Sequence, residues 1–201
     1  GILPVRADEL KSARFICMPG HKSLYGPQGT GILISCADSG LHSLMQGGTG
    51  SNSIETEQPD FLPDIFESGT LNVPGIAGLH EGLRFVRRQG LAAMAQHKRR
   101  LVEAAADGLS SLDGVTVYHA GADCHQGLLA FTVRGMSSAE ACQRLAERGI
   151  CLRDGLHCSP LAHRSAGTLP DGACRVSFSY FNTLSEVKNF LSAVKKMLTS
   201  P

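Results

Sequence analysis

A lysine in a short glycine- and proline-rich segment is the first residue whose position suggests chemistry. Lys22 lies in the run GHKSLYGPQGTG, between two apolar stretches that are typical of strands. A phosphate-binding P-loop requires Gly directly before the Lys, and here His21 takes that place. A lysine presented from a rigid loop suits a Schiff base with a carbonyl cofactor. An exposed turn lysine is the plainer alternative.

Two later loops each combine glycine with threonine. They are QGGTG at 46–50 and ESGTLN at 67–72. Backbone amides of Gly-rich loops beside a hydroxyl can bind a phosphate, which makes Gly47, Gly48 and Thr70 candidates. Taken singly, each segment is more typical of an ordinary surface loop.

Cys158 differs from the other cysteines in its neighbours. It lies in the run LRDGLHCSP, beside His157 and near Arg153. Neighbouring positive charge lowers the pKa of a thiol and makes its thiolate available. The other six of the seven cysteines are predicted to be packing residues in a reducing compartment. No metal is predicted, because no usual zinc pattern matches the spacing of Cys151, His157, Cys158 and His163.

Arg175 lies in the alternating run CRVSFSYFNT, at 174–183. A guanidinium group can hold a carboxylate through two parallel hydrogen bonds, and this is its predicted use here. The alternative is a strand-edge charge that points to solvent.

Taken together and in this order, the four segments resemble the class V aminotransferases, fold-type-I enzymes that use pyridoxal 5'-phosphate (PLP). Within them, the sequence is most similar to the cysteine desulfurase and selenocysteine lyase family. GHK-x-x-YGP-x-G-x-G resembles the family's Schiff-base lysine segment, and R-x-G-x-H-C resembles its loop with the persulfide-forming cysteine. R-x-S followed by N-T resembles the segment whose arginine holds the amino-acid carboxylate.

The resemblance implies a role for each candidate residue. Lys22 and Cys158 would be catalytic. PLP would be bound by Lys22 and by His21, Thr70, Gly47 and Gly48, with Thr70 reaching the phosphate in the partner subunit. The substrate would contact Arg175, Arg153, His157 and Asn182.

The function implied by the resemblance is cysteine desulfuration, from L-cysteine to L-alanine and an enzyme persulfide. It implies a homodimer with the active site at its interface and a sulfur-acceptor protein as partner. The odd number of cysteines and the lack of a CxxC motif indicate a reducing, cytoplasmic location. A selenocysteine lyase or a class V transaminase is the alternative, and a transaminase would not need Cys158. A non-enzymatic partner-binding module would require four coincidental motif matches.

Composition excludes several other classes. The 201 residues are 42% hydrophobic and 18% charged, which is typical of a globular chain. A net charge of +1 argues against general nucleic-acid binding. No apolar run approaches the ~20 residues of a membrane span. The first residues lack the basic-then-apolar pattern of a secretory signal, so export is not expected.

The predicted fold is α/β, in two parts. Residues 1–90 are expected to be the C-terminal part of a large PLP-binding domain, and residues 91–201 a complete small domain of helices on a sheet. The family's Asp-x-x-Gln segment would precede Gly1. We therefore expect the sequence to be the C-terminal half of an enzyme, with little activity and weak cofactor binding as an isolated piece.

Hydrophobic periodicity predicts the individual elements. Strands are expected at Arg14–Met18, Gly31–Cys36, Val115–His119, Gly127–Val133, Ile150–Arg153 and Cys174–Ser179. Helices are expected from Gly75 to Gly90 and at Leu91–Leu109, Ala139–Glu147 and Thr183–Met197. The first of these helices should bury Ile76, Leu79, Leu83 and Val86, and the last should bury Leu184, Val187, Phe190, Leu191, Val194 and Leu198.

Overall fold

The computed structural model describes residues 10–35, 40–52, 54–118 and 127–199. The chain divides into two compact units between Gly90 and Leu91, the position at which the sequence changes in character. Assigning these units to a cofactor-binding domain and a small domain stays a prediction. None of the helices in the described ranges is both long and apolar enough to cross a membrane.

The first unit contains an antiparallel strand pair, a single 3-10 turn and a helix. Strand β1 (Phe15–Pro19) pairs with β2 (Gly31–Ser35), a 3-10 turn covers Asp64–Phe66, and helix α1 spans Val73–Gln89. The residues of β1 are half-buried or exposed, although its apolar sequence is typical of a buried strand. Only these two strands form the sheet among the described residues, and two strands cannot bury both of their faces.

Helix α1 buries a face that includes two glycines. Its buried residues are Gly75, Leu79, Gly82 and Val86. The predicted burial is confirmed for Leu79 and Val86, but Ile76 is 49% exposed and Leu83 is only half-buried. Predicting the buried face from bulky apolar side chains overlooks glycines. A glycine allows a neighbouring segment to approach closely because it has no side chain.

The second unit is a three-stranded antiparallel sheet packed with helices. Its elements are α2 (Leu91–Ser110), β3 (Val115–Tyr118), β4 (Leu128–Val133), α3 (Ser138–Ala146), α4 (Pro160–Ser165), β5 (Cys174–Ser177) and α5 (Leu184–Thr199). Strand β4 is central, between β3 and β5. Helices α2 and α3 contact the sheet, and α5 contacts α2 and α3.

The core of this unit follows the predicted periodicity. Alternate residues of β4 are buried, and α2 buries residues at helical spacing, namely Met94, Lys98, Leu101, Val102, Ala105, Ala106 and Leu109. The largest fully buried side chains are Phe131, Met94, Leu101, Leu109, Leu129, Leu145 and Met197. Burying a side chain of this size contributes roughly 1.5–3 kcal/mol, so this core can hold the loops around it in place.

Helix α5 begins with a capping box formed by Thr183 and Glu186. The Thr183 N–H donates to the Glu186 carboxylate at 2.7 Å, and the Glu186 N–H donates back to the Thr183 hydroxyl at 3.3 Å. The hydrogen bond from the Thr183 backbone holds the pKa of Glu186 below its usual value. This fixes the start of α5 immediately after the segment that carries Arg175 and Asn182.

Three predictions about this unit were wrong. Ile150–Arg153 forms no strand, since only Arg153 makes a single bridge, to Arg175. Leu184 is 52% exposed, because it is the first residue of α5. Of the six cysteines expected to pack, Cys142 and Cys174 are buried, whereas Cys17 and Cys151 are exposed. Cys36 and Cys124 lie outside the described residues, as does the predicted strand end at His119.

Candidate functional site

Lys22 lies in a tightly hydrogen-bonded turn between β1 and β2. The Gly26 N–H donates to the Gly20 carbonyl at 2.9 Å, and the Gly20 N–H donates to the Thr30 carbonyl at 2.8 Å. The Thr30 hydroxyl donates to the Pro27 carbonyl at 2.7 Å. The Lys22 side chain itself is exposed. The backbone is therefore fixed, and the amine can meet a ligand.

Helix α1 packs closely against this turn, and its glycines make the close approach possible. At Gly82, a Cβ would collide with the carbonyl oxygen of Leu24 and with the backbone of Tyr25. The Tyr25 ring packs edge-on against Phe85 of α1, with ring centroids 5.3 Å apart. Tyr25 also has a positive φ of 56°, which a bulky residue adopts only where its surroundings require it.

We expect Gly82→Ala to destabilise the first unit. Alanine favours a helix over glycine by about 1 kcal/mol, but the added methyl must push the Leu24 backbone away. Overpacking of this kind costs about 1–3 kcal/mol. Gly78→Ala is the matched control, because its Cβ meets only the Pro27 ring, at 3.1 Å. Urea denaturation measures both, and a Gly82→Ala chain as stable as Gly78→Ala would contradict the expectation.

The two candidate phosphate loops lie against one another. A Cβ at Gly47 would be 3.3 Å from the Gly69 amide nitrogen and 3.5 Å from the Ser68 Cβ. Gly69 itself has a φ of 82°, in the region that favours glycine. Gly48 and Thr70 are exposed beside this contact. Two segments about 20 residues apart in sequence thus lie together, with the Thr70 hydroxyl nearby. The Gly47 N–H itself already donates to Oε1 of Gln58 at 3.2 Å.

A cavity of about 470 Å³ borders the Gly47–Gly48 loop on another side. Its walls include Glu55 and Glu57. Glu57 accepts a hydrogen bond from the Gln46 amide at 3.0 Å. Two carboxylates oppose anion binding, so this cavity does not suit a phosphate. The contact between Gly47 and Gly69 is the better candidate.

Cys158 occupies a tight turn in the second unit. His157 and Cys158 have positive φ values of 51° and 61°, and the Ser159 N–H donates to the Leu156 carbonyl at 2.8 Å. Positive φ at both central positions is typical of a type I′ turn. Each such residue other than glycine costs roughly 1–2 kcal/mol. The turn leaves the Cys158 thiol exposed.

Arg153 and Arg175 face each other across a backbone bridge. Each N–H donates to the other's carbonyl, at 3.2 Å from Arg153 and at 2.7 Å from Arg175. In an antiparallel pair that exchanges both hydrogen bonds, the two side chains lie on the same face. The structure therefore brings together the two arginines that the sequence singled out separately.

His157 is fixed by one ring nitrogen and leaves the other unpaired. Its Nε2 lies 3.0 Å from the Ala173 carbonyl oxygen, which can only accept, so Nε2 carries the proton. Its Nδ1 is buried and has no hydrogen-bond partner among the described residues, and the same holds for Nε of Arg175. Unpaired buried polar atoms are rare in folded proteins. One buried acceptor and one buried donor thus lack a partner within the described residues.

The structure predicts that His157 stays neutral at pH 7. Burial lowers the pKa of His157, and the charges of Arg175, His163 and Arg153 lower it further, although the Ala173 carbonyl opposes the shift. The unfolded chain therefore takes up the proton more readily, and the free energy of unfolding should fall as pH drops below about 6.5. An NMR titration of the His157 ring should show a midpoint below that of a free histidine. A midpoint at or above about 6.5 would contradict the assignment.

Gly172 brings the cysteine loop against the segment that leads into β5. A Cβ at Gly172 would collide with the backbone of Gly155, and its φ is 80°. The Ala173 N–H donates to the Gly155 carbonyl at 3.2 Å. This close approach positions Ala173 to accept the hydrogen bond from His157.

We expect Gly172→Ala to cost more stability than Gly167→Ala. Both positions have positive φ, 80° and 70°, so both substitutions carry the conformational cost of about 1–2 kcal/mol. Only Gly172 also meets backbone atoms, since nothing lies within 4 Å of a Cβ at Gly167. Thermal unfolding of the two variants measures the difference. Equal losses of stability would show that the close approach to Gly155 does not matter.

The structure gives Asn182 a role in its own loop. Its Oδ1 accepts hydrogen bonds from the Ser179 N–H at 2.7 Å and from the Ser179 hydroxyl at 3.2 Å. Its backbone carbonyl lies 2.8 Å from Nε2 of His97. A contact between Asn182 and a substrate is untested and stays a prediction. Asn side chains commonly bond to the backbone of local turns, but no motif in the sequence indicates the contact with Ser179.

The predicted site residues thus fall into two groups. Lys22, His21, Gly47, Gly48 and Thr70 belong to the first unit, and Arg153, His157, Cys158, Arg175 and Asn182 belong to the second. Within the described ranges, no group of three or more His, Cys, Asp or Glu residues is placed to hold a metal ion. Sequence reasoning missed the support from Gly78 and Gly82, for which the small-residue spacing of four on one helix face was the available signal.

Comparison with known proteins gives one consistent picture. The family model for aminotransferase class-V matches residues 7–190. A probable cysteine desulfurase of Methanothermobacter thermautotrophicus is 34% identical over 184 residues, which cover 88% of this chain and 45% of that protein. Probable cysteine desulfurase 1 of Mycobacterium leprae is 31% identical over 199 residues, which cover 97% of this chain and 32% of that protein.

Solved structures show the same likeness. The cysteine desulfurase CsdA of Escherichia coli, in an S-sulfonic acid form, matches 95% of this chain with a TM-score of 0.84 and 28% identity. The cystine C-S lyase C-DES, in complex with its product cysteine persulfide, matches 96% with a TM-score of 0.70 and 26% identity. Each match covers 48% of the solved chain. The chain therefore spans about a third to a half of the length of these relatives.

Proposed function

Because this chain belongs to the aminotransferase class-V family, we propose that the whole protein is a PLP-dependent cysteine desulfurase. It removes sulfur from L-cysteine, leaving L-alanine and a persulfide on Cys158. The observation that carries this proposal is the Leu156–Ser159 turn. That turn presents an exposed thiol next to His157, whose Nδ1 is buried and unpaired among the described residues.

The residues of the first unit fit PLP. Lys22 presents an exposed amine from a fixed turn, and Gly48 and Thr70 are exposed beside the close contact between Gly47 and Gly69. Lys22 would hold the aldehyde of PLP, and His21, Gly47, Gly48 and Thr70 would hold its phosphate. When bound, PLP supplies an electron sink for the Cα of the amino acid.

The arginine pair would bind the carboxylate of the substrate. The unpaired Nε–H of Arg175 is a buried donor, and a carboxylate is the acceptor that a guanidinium group binds best. Arg153 lies across the bridge from Arg175 and adds a second positive charge on the same face. The unpaired Nδ1 of His157 is an acceptor, which suits the thiol hydrogen of L-cysteine.

Proton and sulfur transfer then use two residues of the chain. Nζ of Lys22 takes the Cα proton of the substrate as general base. The Cys158 thiolate attacks the substrate sulfur, so that an S–S bond forms while the C–S bond breaks. The electron pair of the broken bond stays on the carbon that becomes the methyl group of alanine, and that carbon later takes up a proton.

The wider context is part of the same proposal. A homodimer is proposed because Thr70 is assigned to the phosphate of the partner subunit. A sulfur-acceptor protein is proposed because the persulfide on Cys158 must be discharged before another turnover. The free thiols at Cys17, Cys142, Cys151, Cys158 and Cys174 support a reducing, cytoplasmic location.

Product analysis of the whole protein with PLP tests the proposal. With L-cysteine and a thiol reductant, we expect equal amounts of alanine and sulfide. An oxo acid without sulfide would indicate a transaminase instead. Selenide release from selenocysteine with no turnover of L-cysteine would indicate a selenocysteine lyase. Absence of turnover with any amino acid, together with retained fold, would favour a binding module.

A further inference from the structure

A second histidine lies behind the Cys158 turn. His163 of α4 is buried, at 9% exposure, and its ring centroid is 5.7 Å from that of His157. Its N–H donates to the carbonyl of Ser159, the last residue of the turn, at 3.2 Å. His163 therefore touches the turn both through its ring and through its backbone.

Thr168 holds this histidine in place. The Thr168 hydroxyl lies 2.7 Å from Nδ1 of His163 and donates to the His163 carbonyl at 3.3 Å. The Thr168 N–H donates to the same carbonyl at 2.9 Å. Both side chains are buried. Burying an imidazole and a hydroxyl is unfavourable unless they are hydrogen-bonded, and a leucine would fill the same space more simply.

The same pair reaches the segment that fixes His157. The Gly172 N–H donates to the Thr168 carbonyl at 2.7 Å, and Gly172 lies against Gly155. The next residue, Ala173, accepts the hydrogen bond from Nε2 of His157. The pair His163–Thr168 thus contacts the turn at Ser159 and the His157 ring. Through Gly172 it is also connected to Ala173, whose carbonyl accepts the hydrogen bond from His157.

We propose that His163, held by the Thr168 hydroxyl, is a positioning residue that keeps His157 in its Nε2–H form and Cys158 beside it. This proposal rests on the proposed role of Cys158 as sulfur acceptor. It adds to that role a buried residue that has no direct contact with substrate. We therefore expect the Thr168 hydroxyl to affect which ring nitrogen of His157 carries the proton, although the two residues are two contacts apart.

The test uses the protein without cofactor, so that it does not depend on desulfurase activity. Thr168→Val removes the hydroxyl at nearly constant volume, and Thr168→Ser keeps it. His163→Phe keeps a ring and removes both nitrogens. Ser165→Ala is the matched control, because it removes an exposed hydroxyl that bonds only within the same helix.

Two measurements are made on each variant. The ¹⁵N shifts of the His157 ring distinguish a protonated from an unprotonated Nδ1. Alkylation by iodoacetamide is followed at Cys158 by peptide mass spectrometry, with exposed Cys151 in the same sample as internal reference. Urea denaturation of each variant shows whether the chain is folded under the assay conditions.

We expect Thr168→Val and His163→Phe to mix the two ring forms of His157. They should also change the rate of Cys158 alkylation at least threefold relative to Cys151, because the His157–Cys158 turn is no longer held in the conformation that exposes the thiol. Thr168→Ser and Ser165→Ala should match the unaltered chain. If Thr168→Val does not fold, His163→Phe alone decides.

Unchanged His157 shifts and alkylation ratios in the folded variants would overturn the proposal. So would a Thr168→Ser chain that behaves like Thr168→Val, since the hydroxyl would then be irrelevant. Either result would leave the desulfurase proposal standing. If instead the whole protein does not turn over L-cysteine, the His157 shifts and the Cys158 alkylation ratios still test the proposal for His163.

Discussion

Cys158→Ala in the whole protein is expected to abolish sulfur transfer from L-cysteine. The thiolate at this position is the nucleophile that receives the sulfur, and no neighbouring group can replace it. Removing a catalytic nucleophile costs at least about 10³-fold in rate. Sulfide release in the presence of a thiol reductant, and the mass of a persulfide on the Cys158 peptide, measure the effect.

Cys151→Ala is the control for this substitution. Cys151 is exposed like Cys158 but lies outside the Leu156–Ser159 turn. Its loss should leave turnover near that of the unaltered protein. A Cys158→Ala protein with full turnover, or one that loses no more activity than Cys151→Ala, would remove Cys158 from the mechanism. Unfolding of both variants should be compared, so that a loss of structure is not counted as a loss of chemistry.

Arg175→Lys is expected to raise the KM for L-cysteine by about 10- to 100-fold, the effect of losing about 1.5–3 kcal/mol of charged hydrogen bonding. Lysine keeps the charge but not the planar pair of donors that matches a carboxylate. The Arg175 backbone makes the bridge to Arg153, so the substitution leaves that contact in place. Initial rates across a range of L-cysteine concentrations separate KM from kcat.

The matched control is Arg134→Lys. Arg134 makes an exposed ion pair with Asp113 at 3.3 Å, and such pairs contribute little to stability. Arg134→Lys should leave both KM and kcat for L-cysteine unchanged. If Arg175→Lys also keeps its KM, the carboxylate is bound elsewhere, and the unpaired Nε of Arg175 needs another explanation.

The helices and strands of the second unit were largely predictable from sequence. Its apolar positions alternate along β4 and recur at helical spacing along α2, because one face of each element is buried. The exception was Arg153, whose apolar neighbours suggested a strand although only one bridge forms. A single bridge involves one residue of each segment, so it leaves no alternating pattern of apolar residues in the sequence.

The first unit was harder to predict, because close backbone approaches matter there. Gly82 lies against the backbone of Leu24 and Tyr25, and glycine at such a contact contributes no apolar signal. The inward face of α1 was therefore misjudged at Ile76. The exposed lysine turn between β1 and β2, in contrast, was visible from its glycine and proline residues.

The candidate residues were found by their types, but their arrangement was not predictable. Nothing in the sequence pairs Arg153 with Arg175, which are 22 residues apart. The Ala173 carbonyl that fixes the His157 ring is a backbone atom, and backbone partners leave no trace in residue type. The spacing of His163 suggests at most a zinc ligand, which no usual zinc pattern supports, and Thr168 belongs to no motif.

The most direct test of the central claim is the site at which PLP attaches. The whole protein is incubated with PLP, reduced with borohydride, digested and mapped by mass spectrometry. The account predicts a reduced PLP adduct on the peptide that contains Lys22, and its loss in Lys22→Arg. An adduct absent from Lys22 but present on Lys98, Lys188 or Lys195 would contradict it.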